Sequence, residues 1–364
     1  MISGALKRGK NITPKTIQQF FDCRIDRIGQ LNLDNLSSAN GAVASKNSGI
    51  RKLKVFFADG STRELALKTK SQQTLVNGIM LLTKKSPKLR LNLILNHKIF
   101  GYNNSHRREI SVYENIDKSL ANNITPYLGY YTTGFPRAYN LLLDYCKFKE
   151  EKLTVTAAMR ILDKILDFHT LYYGDINKAQ KMGLNIYSPQ DYRRAKKCIY
   201  ELYNSRHNEN IKLYGEKKDK EINGYINNID KIADKYLSHR TFTHNDFSTR
   251  NIFYDKRRVL FYDFELSCYQ NPEHDLIEFL MYDLGNFTDD EVKKIIGYYK
   301  SGLKRGGIYP GDKEFNKLLN YSAYEFTVNR LSMTKTINDN VKLDFAKLSI
   351  PNSVRLFKIL DGMR

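Results

Sequence analysis

Hydrophobic and polar residues alternate with a period of two near the start of the chain, and this alternation predicts a pair of β-strands. Within the segment Ser45–Lys70, hydrophobic side chains occupy every second position from Leu53 to Phe57. Asp59 and Gly60 form a dipeptide that is typical of a β-hairpin turn, and the strand pattern resumes after it. The sequence therefore predicts a small antiparallel sheet in the N-terminal part of the chain.

The hydrophobic spacing then changes to three and four residues, which is typical of helices. Residues Gln72–Asn96 follow a helical pattern, and Arg107–Ile116 is predicted as a second helix. The run Tyr139–Cys146 is predicted as a short buried strand. Thr154–Tyr173 places its hydrophobic residues on one face of an amphipathic helix, and His169 on that face is predicted to be a core histidine.

The C-terminal part of the chain shows helical periodicity almost throughout. Thr288 and Glu291 have the spacing of a capping box, which predicts the start of a further helix. No internal repeat and no long low-complexity linker interrupts the chain. These patterns predict an α+β protein with a small antiparallel-sheet lobe in residues 1–146 and a larger helical lobe in residues 147–364.

Composition excludes several classes of protein. The chain has 364 residues, 41% of them hydrophobic, which is enough for a substantial core. The 4 cysteines have neither CxxC spacing nor the spacing of a zinc site, so we expect reduced thiols and a cytoplasmic protein. No segment approaches the roughly 18 apolar residues that a membrane-spanning helix needs.

The formal net charge of +20 indicates an attraction to anions, such as phosphate-bearing molecules, nucleic acid or an anionic membrane surface. Much of this charge lies in mixed runs on predicted helix faces, where solvation alone accounts for it. Net charge therefore does not identify the ligand.

The stretch Phe242–Glu265, FTHNDFSTRNIFYDKRRVLFYDFE, combines acidic and carboxamide side chains with hydrophobic runs. A strand that begins at Asn251 is predicted to pair with Val259–Phe264 as a hairpin. Asp246 and Asn251 then lie on a tight loop beside the end of the second strand, where Asp263 lies. Carboxylate and carboxamide oxygens suit Mg²⁺, which shares its other positions with water and substrate phosphates. Phosphoryl transfer needs such a metal site and a separate acid that receives the proton of the attacking hydroxyl.

These residues resemble the signature of the aminoglycoside phosphotransferase and choline kinase superfamily, small-molecule kinases with a protein-kinase-like fold. The matching motifs are His244-Asn245-Asp246, Asn251, Asp263-Phe264-Glu265 and Pro272-Glu273-His274-Asp275-Leu276. The pattern HxDxxxxN, followed by a hydrophobic residue, Asp, an aromatic residue and Glu, is fairly specific, and the resemblance covers approximately residues 45–290. Arg250 stands where the superfamily commonly has glycine, and we expect it to add a cation near the phosphates or to point to solvent.

The resemblance implies a role for each polar residue of these motifs. In that superfamily the aspartate of the first motif is the catalytic base, which implies this role for Asp246. The asparagine and the later aspartate bind Mg²⁺, which implies that Asn251 and Asp263 are metal ligands. The resemblance further implies that His244 is structural and that Asp275 supports the catalytic loop.

The resemblance extends with lower specificity to the nucleotide site. Lys68 is similar to the strand lysine that contacts nucleotide phosphates, and Glu109 is similar to the helix glutamate that pairs with it. Leu143 and Tyr145 would lie in the strand whose backbone contacts adenine. The chain contains no GxGxxG motif after the first strand, so the loop around Ser48 would have to cover the phosphates.

The resemblance implies a function as an ATP-dependent phosphotransferase with Mg²⁺ as cofactor and a small-molecule hydroxyl as acceptor. Residues 1–146 would bind the nucleotide, and residues 147–364 would carry catalysis and bind the acceptor. Acceptors in the superfamily include antibiotics, amino alcohols and sugars, and the sequence leaves this choice open. The basic charge of the chain favours a neutral or anionic acceptor over a polycationic one.

An alternative is an inactive kinase-fold protein that binds nucleic acid or another polyanion. The net charge of +20 favours it, as do the interleaved Tyr, Lys and Arg residues of Asp175–Arg240. The complete set of Asp246, Asn251 and Asp263 argues against it, because an inactive kinase tends to lose its metal ligands. Steeply salt-dependent binding of RNA or DNA without ATP turnover would distinguish the alternative.

Overall fold

The computed structural model describes residues 12–32, 50–71, 80, 83, 87–134, 137–146, 152–236, 238–338 and 344–363. The chain forms two compact units. The first comprises Met1–Gly78 and Thr125–Lys147, and the second comprises Ile79–Ile124 and Phe148–Arg364. The described part of the first unit is mainly an antiparallel sheet, and that of the second is mainly helical, as the sequence patterns predict.

The first unit is built on a sheet with the strand order β1-β2-β3-β5-β4, in which every neighbouring pair is antiparallel. Its elements are helix α1 (Pro14–Ile17) and strands β1 (Ile25–Asn32), β2 (Ile50–Phe57), β3 (Thr62–Ser71), β4 (Tyr127–Thr133) and β5 (Ala138–Asp144). The hairpin predicted around Asp59 and Gly60 is confirmed: Ser61 N donates to Asp59 Oδ1 at 2.8 Å, and Gly60 has a φ of 82°. The buried core of this unit consists of aliphatic and aromatic side chains: Ile17, Ile25, Leu53, Val55, Phe57, Leu65, Leu67 and Leu142.

The second unit contains the remaining described helices and strands. The helices are α2 (Pro87–Leu95), α3 (Ser105–Asn115), α4 (Val155–Tyr172), α5 (Ile176–Lys181), α6 (Pro189–Asn204), α7 (His207–Tyr214), α8 (Glu216–Lys235), α9 (Glu273–Asp283), α10 (Asp289–Arg305), α11 (Asp312–Phe326), α12 (Ser332–Asn338) and α13 (Asp344–Asp361). The strands are β6 (Asn185–Ile186), β7 (Thr241–Thr243), β8 (Ile252–Tyr254), β9 (Val259–Phe261) and β10 (Cys268–Gln270). Among the described helices, no stretch combines the length and the hydropathy that crossing a membrane requires.

The predicted division of the chain at residue 146 differs from the observed units in one segment, residues 79–124, which belongs to the second unit. Helix α3 packs there against the turn Phe264–Leu266. Arg108 of α3 is buried and donates to the carbonyl oxygens of Glu265 at 2.6 Å and Gly101 at 2.9 Å. The sequence order conceals this arrangement, because the segment connects two strands of the first unit.

Helix α4 forms where its amphipathic pattern predicts it. Thr154 caps its N-terminus by accepting a hydrogen bond from Ala157 N at 3.2 Å. Gly174, with a φ of 71°, follows its C-terminus in a conformation that favours glycine. The buried face of α4 includes His169, which the helix directs into the core of the second unit.

Helix α10 packs against α4 and begins at the predicted capping box. Thr288 Oγ1 accepts from Glu291 N at 3.3 Å, and Glu291 Oε2 accepts from Thr288 N at 2.8 Å. The Tyr299 hydroxyl of α10 lies 2.8 Å from His169 Nδ1, so this helix pair fixes the histidine.

Strands β8 and β9 form the predicted hairpin, but the second strand ends earlier than expected. Asp263 lies beyond β9 and has a left-handed backbone with φ 66° and ψ 55°. The ladder ends because this conformation turns the chain out of the strand direction. The sequence predicted the correct pairing and placed Asp263 too far inside the strand.

Substitution of two glycines of α10 tests the packing of α10 against α4, which fixes His169. A Cβ added at Gly302 would lie 2.2 Å from Leu166 Cδ1, whereas one at Gly297 meets no atom within 4 Å. We expect Gly297→Ala to stabilise the protein by about 0.5–1 kcal/mol through helix propensity. Gly302→Ala should be less stable than Gly297→Ala by about 1–3 kcal/mol, because the added methyl group overpacks the interface. Urea unfolding measures both, and equal midpoints would contradict the observed packing.

Candidate active site

The loop of residues 244–251, predicted to be the catalytic loop, follows strand β7 directly and presents a single carboxylate. From Thr241 to Ser248, Asp246 is the residue that is not buried, and its side chain is 24% exposed. Asn245 precedes it with a φ of 57°, a backbone conformation that asparagine tolerates better than most residues. The left-handed residue turns the chain at the point where Asp246 becomes accessible.

Asp275 of α9 is fully buried and holds the start of this loop. Its Oδ2 accepts from His244 N at 2.9 Å, and its Oδ1 accepts from Asn245 N at 3.0 Å. His169 Nε2 lies 3.0 Å from the same Oδ2. Burial alone would raise the pKa of Asp275, but the hydrogen bond and charge of His169 lower it below its usual value. Its predicted role as a support of the loop agrees with these contacts, as does the prediction that His169 is a satisfied core residue.

Two further acidic residues of α9 hold later parts of the loop. Glu278 Oε2 accepts from Phe247 N at 2.7 Å. Asp283 accepts from Thr249 N at 3.0 Å and from Thr249 Oγ1 at 2.6 Å. Burial raises the pKa of Asp283 and raises that of Glu278 to about 8. The sequence analysis missed both residues, although their three- and eight-residue spacing from Asp275 indicates one face of a helix.

The Asn251 side chain is hydrogen-bonded to Asp246. Its Nδ2 donates to Asp246 Oδ2 at 2.7 Å and to the Asp246 backbone oxygen at 2.8 Å. The carboxamide nitrogen is thus engaged, and the carboxamide oxygen is the atom that could bind a cation. Arg250 places its Nη2 3.8 Å from Asp246 Oδ1 and its guanidinium over the Tyr282 ring at 4.6 Å, so it adds positive charge beside Asp246.

Asp263 lies next to Asn251 because of the β8–β9 ladder. Tyr262 N donates to Asn251 O at 3.2 Å, and Asp263 follows immediately. His244 Nε2 lies 2.9 Å from Tyr262 O, so the catalytic loop is tied to the segment that carries Asp263. These contacts agree with the structural role expected for His244.

The residues present fit a Mg²⁺ ion that receives few ligands from the protein. The described residues contain no group of three or more His, Cys, Asp or Glu side chains arranged to hold a metal ion. One carboxylate from Asp263 and one carboxamide oxygen from Asn251 are hard oxygen ligands. Such a pair suits Mg²⁺, which usually keeps several waters and binds substrate phosphates.

Arg330 and His274 are polar residues near the loop that the sequence analysis did not assign. Arg330 lies in the π-helical turn Thr327–Leu331, and its Nη2 donates to Asn245 O at 2.6 Å. Both residues line a cavity of about 20 Å³, enough for one water molecule. Burial lowers the pKa of His274 to about 4, so the imidazole is neutral. No local sequence pattern indicates Arg330, because it approaches the loop from a distant part of the chain.

The residues predicted to bind nucleotide in the first unit lie on β3 and at the end of β5. Lys68 is buried on β3 opposite Leu141 of β5. Leu143 pairs with residues of both neighbouring strands, and Tyr145 N donates to Glu64 O at 3.1 Å. The Tyr145 amide is thus engaged within the sheet. The contact of the backbone near Leu143 and Tyr145 with adenine stays a prediction. Ser48 lies outside the described residues.

Glu109 lies on helix α3 of the second unit and is fully buried. The predicted helix around it is confirmed, with bounds of Ser105–Asn115. Lys68 belongs to the first unit, so the predicted pairing of the two side chains stays a prediction.

Residues 189–307 match the model of a family described as the phosphotransferase enzyme family, APH. This span contains the catalytic loop, Asp263 and Asp275. The resemblance to the aminoglycoside phosphotransferase and choline kinase superfamily is confirmed. The match also supports the predicted enzyme class, a phosphotransferase that acts on hydroxyl groups of small molecules. No curated protein matches the sequence.

Solved structures share the fold over nearly the whole chain. A protein from Ralstonia eutropha JMP134 assigned to the aminoglycoside phosphotransferases is 12% identical with a TM-score of 0.54, covering 96% of this chain and 97% of that one. A thermostable variant of aminoglycoside phosphotransferase APH(4)-Ia, in a ternary complex with AMP-PNP and hygromycin B, is 9% identical with a TM-score of 0.51, covering 96% and 97%. A thermostable variant of the same enzyme in its apo form is 10% identical with a TM-score of 0.50, covering 97% and 99%. These similarities confirm the predicted α+β, protein-kinase-like fold.

The contribution of Asp275, a buried hydrogen-bond acceptor, to stability can be compared with that of an exposed hydrogen-bond acceptor. Asp275→Asn replaces one acceptor oxygen by an NH₂ group that faces backbone N–H donors, which costs about 1–3 kcal/mol for each buried donor left unpaired. The control is Asp255→Asn, because Asp255 accepts from Arg257 N and Arg258 N, both at 2.8 Å, in an exposed turn. We expect Asp255→Asn to change the free energy of unfolding by no more than about 0.5 kcal/mol. Equal losses in urea unfolding would show that Asp275 does not hold the loop.

Proposed function

We propose that the chain transfers the γ-phosphate of ATP to a hydroxyl group of a small molecule, with Asp246 as the catalytic base. The observation that carries this proposal is the accessible Asp246 carboxylate, held by Asn251 at 2.7 Å in a loop whose backbone is hydrogen-bonded to α9. The family match over residues 189–307 supports the same reaction class.

Asp246 would act through the oxygen that Asn251 does not occupy. Oδ2 accepts from Asn251, so we assign proton acceptance to Oδ1. The acceptor hydroxyl gives its proton to Oδ1 while its oxygen forms a bond to the γ-phosphorus. The bond between that phosphorus and the bridging oxygen breaks, and ADP leaves with the bonding electron pair. Asn251 keeps the carboxylate in one orientation during this change of charge.

We further propose that Asn251 and Asp263 hold Mg²⁺. The bound ion would neutralise phosphate charge and orient the phosphates. His244 fixes the backbone of Tyr262, which directly precedes Asp263, through the contact at 2.9 Å. The protein thereby connects the position of the proposed base to the position of the proposed metal ligand.

In the first unit we propose that Lys68 contacts the nucleotide phosphates. Its place inside β3 holds the side chain on a rigid strand, which suits the positioning of a phosphate group. We retain Glu109, Ser48 and the backbone near Leu143 as proposed nucleotide-site residues. At Tyr145 we assign the contact with adenine to the carbonyl oxygen, because the amide already donates to Glu64 O.

We propose that the molecule that accepts the phosphate is neutral or anionic. An amino alcohol is kept as a second candidate. The formal net charge of +20 favours such a molecule over a polycation. Arg250 and Arg330 beside the catalytic loop add local positive charge in the same sense. The alternative of an inactive polyanion-binding protein rests on net charge, and the intact Asp246–Asn251 pair favours the enzyme.

Nucleotide binding can be measured without knowledge of the acceptor. ATP with Mg²⁺ at a hundredfold excess over its Kd should stabilise the protein by about 2.7 kcal/mol, which raises the melting temperature. Asp263→Asn should reduce this shift, and higher Mg²⁺ should restore part of it, because the variant loses a metal ligand. Asp255→Asn serves as the control and should keep the full shift. A wild-type melting temperature that does not respond to ATP and Mg²⁺ would count against the proposal.

The role of the base is tested by Asp246→Asn. The variant keeps the size of the side chain and an acceptor for Asn251, but it lacks the basic oxygen. Turnover of an identified acceptor should fall by about 10²–10⁴-fold, while the ATP-induced thermal shift stays at the wild-type value. A coupled assay of ADP release measures the turnover. If Asp246→Asn phosphorylates the acceptor at the wild-type rate, the assignment of the base is wrong.

A further inference from the structure

The side chains of Arg330 and Glu278 form hydrogen bonds with the peptide groups on either side of Asp246. Arg330 Nη2 donates to Asn245 O at 2.6 Å, on the peptide group that precedes Asp246. Glu278 Oε2 accepts from Phe247 N at 2.7 Å, on the peptide group that follows it. One contact comes from the turn Thr327–Leu331 and the other from α9, so two separate elements restrain the same residue.

Arg330, Glu278 and Asp246 also influence one another electrostatically. Burial would lower the pKa of Arg330, but the negative charges of Glu278 and Asp246 raise it above its usual value. Burial raises the pKa of Glu278 to about 8, with Arg330 opposing and Asp246 adding to the rise. The charged and titratable groups that act on Glu278 or respond to it are Arg330, Asp246, Asp275, Arg250 and Tyr282.

The second carboxyl oxygen of Glu278, Oε1, indicates which protonation state the buried side chain favours. Glu278 is fully buried, and its Oε1 has no hydrogen-bond partner among the described residues. An ionised carboxylate in this position would leave one oxygen unpaired. A protonated carboxyl group avoids that charge and still accepts from Phe247 N through Oε2.

We propose that Glu278 and Arg330 are positioning residues for Asp246, which clamp the two peptide groups beside it and form one electrostatically coupled cluster with it. The proposal rests on the proposed role of Asp246 as the catalytic base. The two contacts restrain the peptide groups on both sides of Asp246, so they fix the direction in which its side chain leaves the loop.

This coupling can be measured in the full-length protein without nucleotide or acceptor. Infrared titration should show a protonated-carboxyl C=O band with a midpoint near pH 8 that is absent in Glu278→Gln. Asp246→Asn should lower the midpoint by about one pH unit, because it removes a negative charge, and Arg330→Gln should raise it by about as much. The control is Arg305→Gln, an exposed arginine of α10, which should leave the midpoint unchanged.

The same variants report on catalysis once an acceptor is identified. Glu278→Gln and Arg330→Gln should lower kcat about 10-fold or more with little change in the KM for ATP, because misplacement of the base affects the chemical step. Arg330→Lys should recover part of the loss, since it restores the charge and one donor. If Arg330→Gln does not fold, Asp246→Asn still measures the coupling.

The infrared result separates this proposal from the proposed function. A wild-type protein that transfers no phosphate but shows the shifted midpoints would overturn the catalytic role of Asp246 and support the cluster. A midpoint that is the same in wild type, Asp246→Asn and Arg330→Gln would overturn the cluster, whatever the activity. The proposal would also be overturned if Glu278→Gln kept the protonated-carboxyl band of the wild-type protein.

Discussion

The structure of the candidate site depends on the burial of three acidic side chains of α9 beneath the catalytic loop. A loop that leaves regular secondary structure exposes backbone N–H groups that need acceptors, and here those groups are enclosed in the protein. Asp275, Glu278 and Asp283 together accept from the backbone nitrogens of His244, Asn245, Phe247 and Thr249. The pKa of Asp275 lies below its usual value, and hydrogen bonds to an ionised acceptor are shorter and stronger than neutral ones, so α9 supports the start of the loop rigidly.

The protein compensates for the burial of Asp275 and of Glu278 in different ways. Asp275 stays ionised beside His169, which Tyr299 of α10 holds at 2.8 Å. Glu278 instead has its pKa raised to about 8, with burial as the main cause. The helix pair α4–α10 therefore contributes to the site although it lies outside the catalytic motifs. Left-handed backbones at Asn245 and Asp263 complete the geometry, and Asn245 Nδ2 donates to Leu266 O at 2.8 Å to join the two segments.

Much of this arrangement could be predicted from the sequence. The period-two pattern around Asp59-Gly60 and the amphipathic helix after Thr154 gave elements close to the observed ones, because both signals are local. The HxDxxxxN motif identified the loop, since its residues are neighbours in sequence as well as in space. Arg330 could not be predicted, because it meets Asn245 from 85 positions away. The strand partner of Tyr145, whose amide donates to Glu64 O, could not be predicted either, because the pairing of distant strands is not a local signal.

Transfer of a phosphoryl group from ATP to an alcohol can be followed directly by ³¹P NMR. The wild-type protein would be incubated with ATP, Mg²⁺ and, in separate samples, amino alcohols, sugars, phosphorylated or carboxylated alcohols, macrolides and aminoglycosides. We predict that in at least one sample ATP is converted to ADP while an equal amount of a phosphate monoester appears, and that neither signal develops with Asp246→Asn. ATP that persists in every sample, or conversion to ADP and inorganic phosphate alone, would contradict the account.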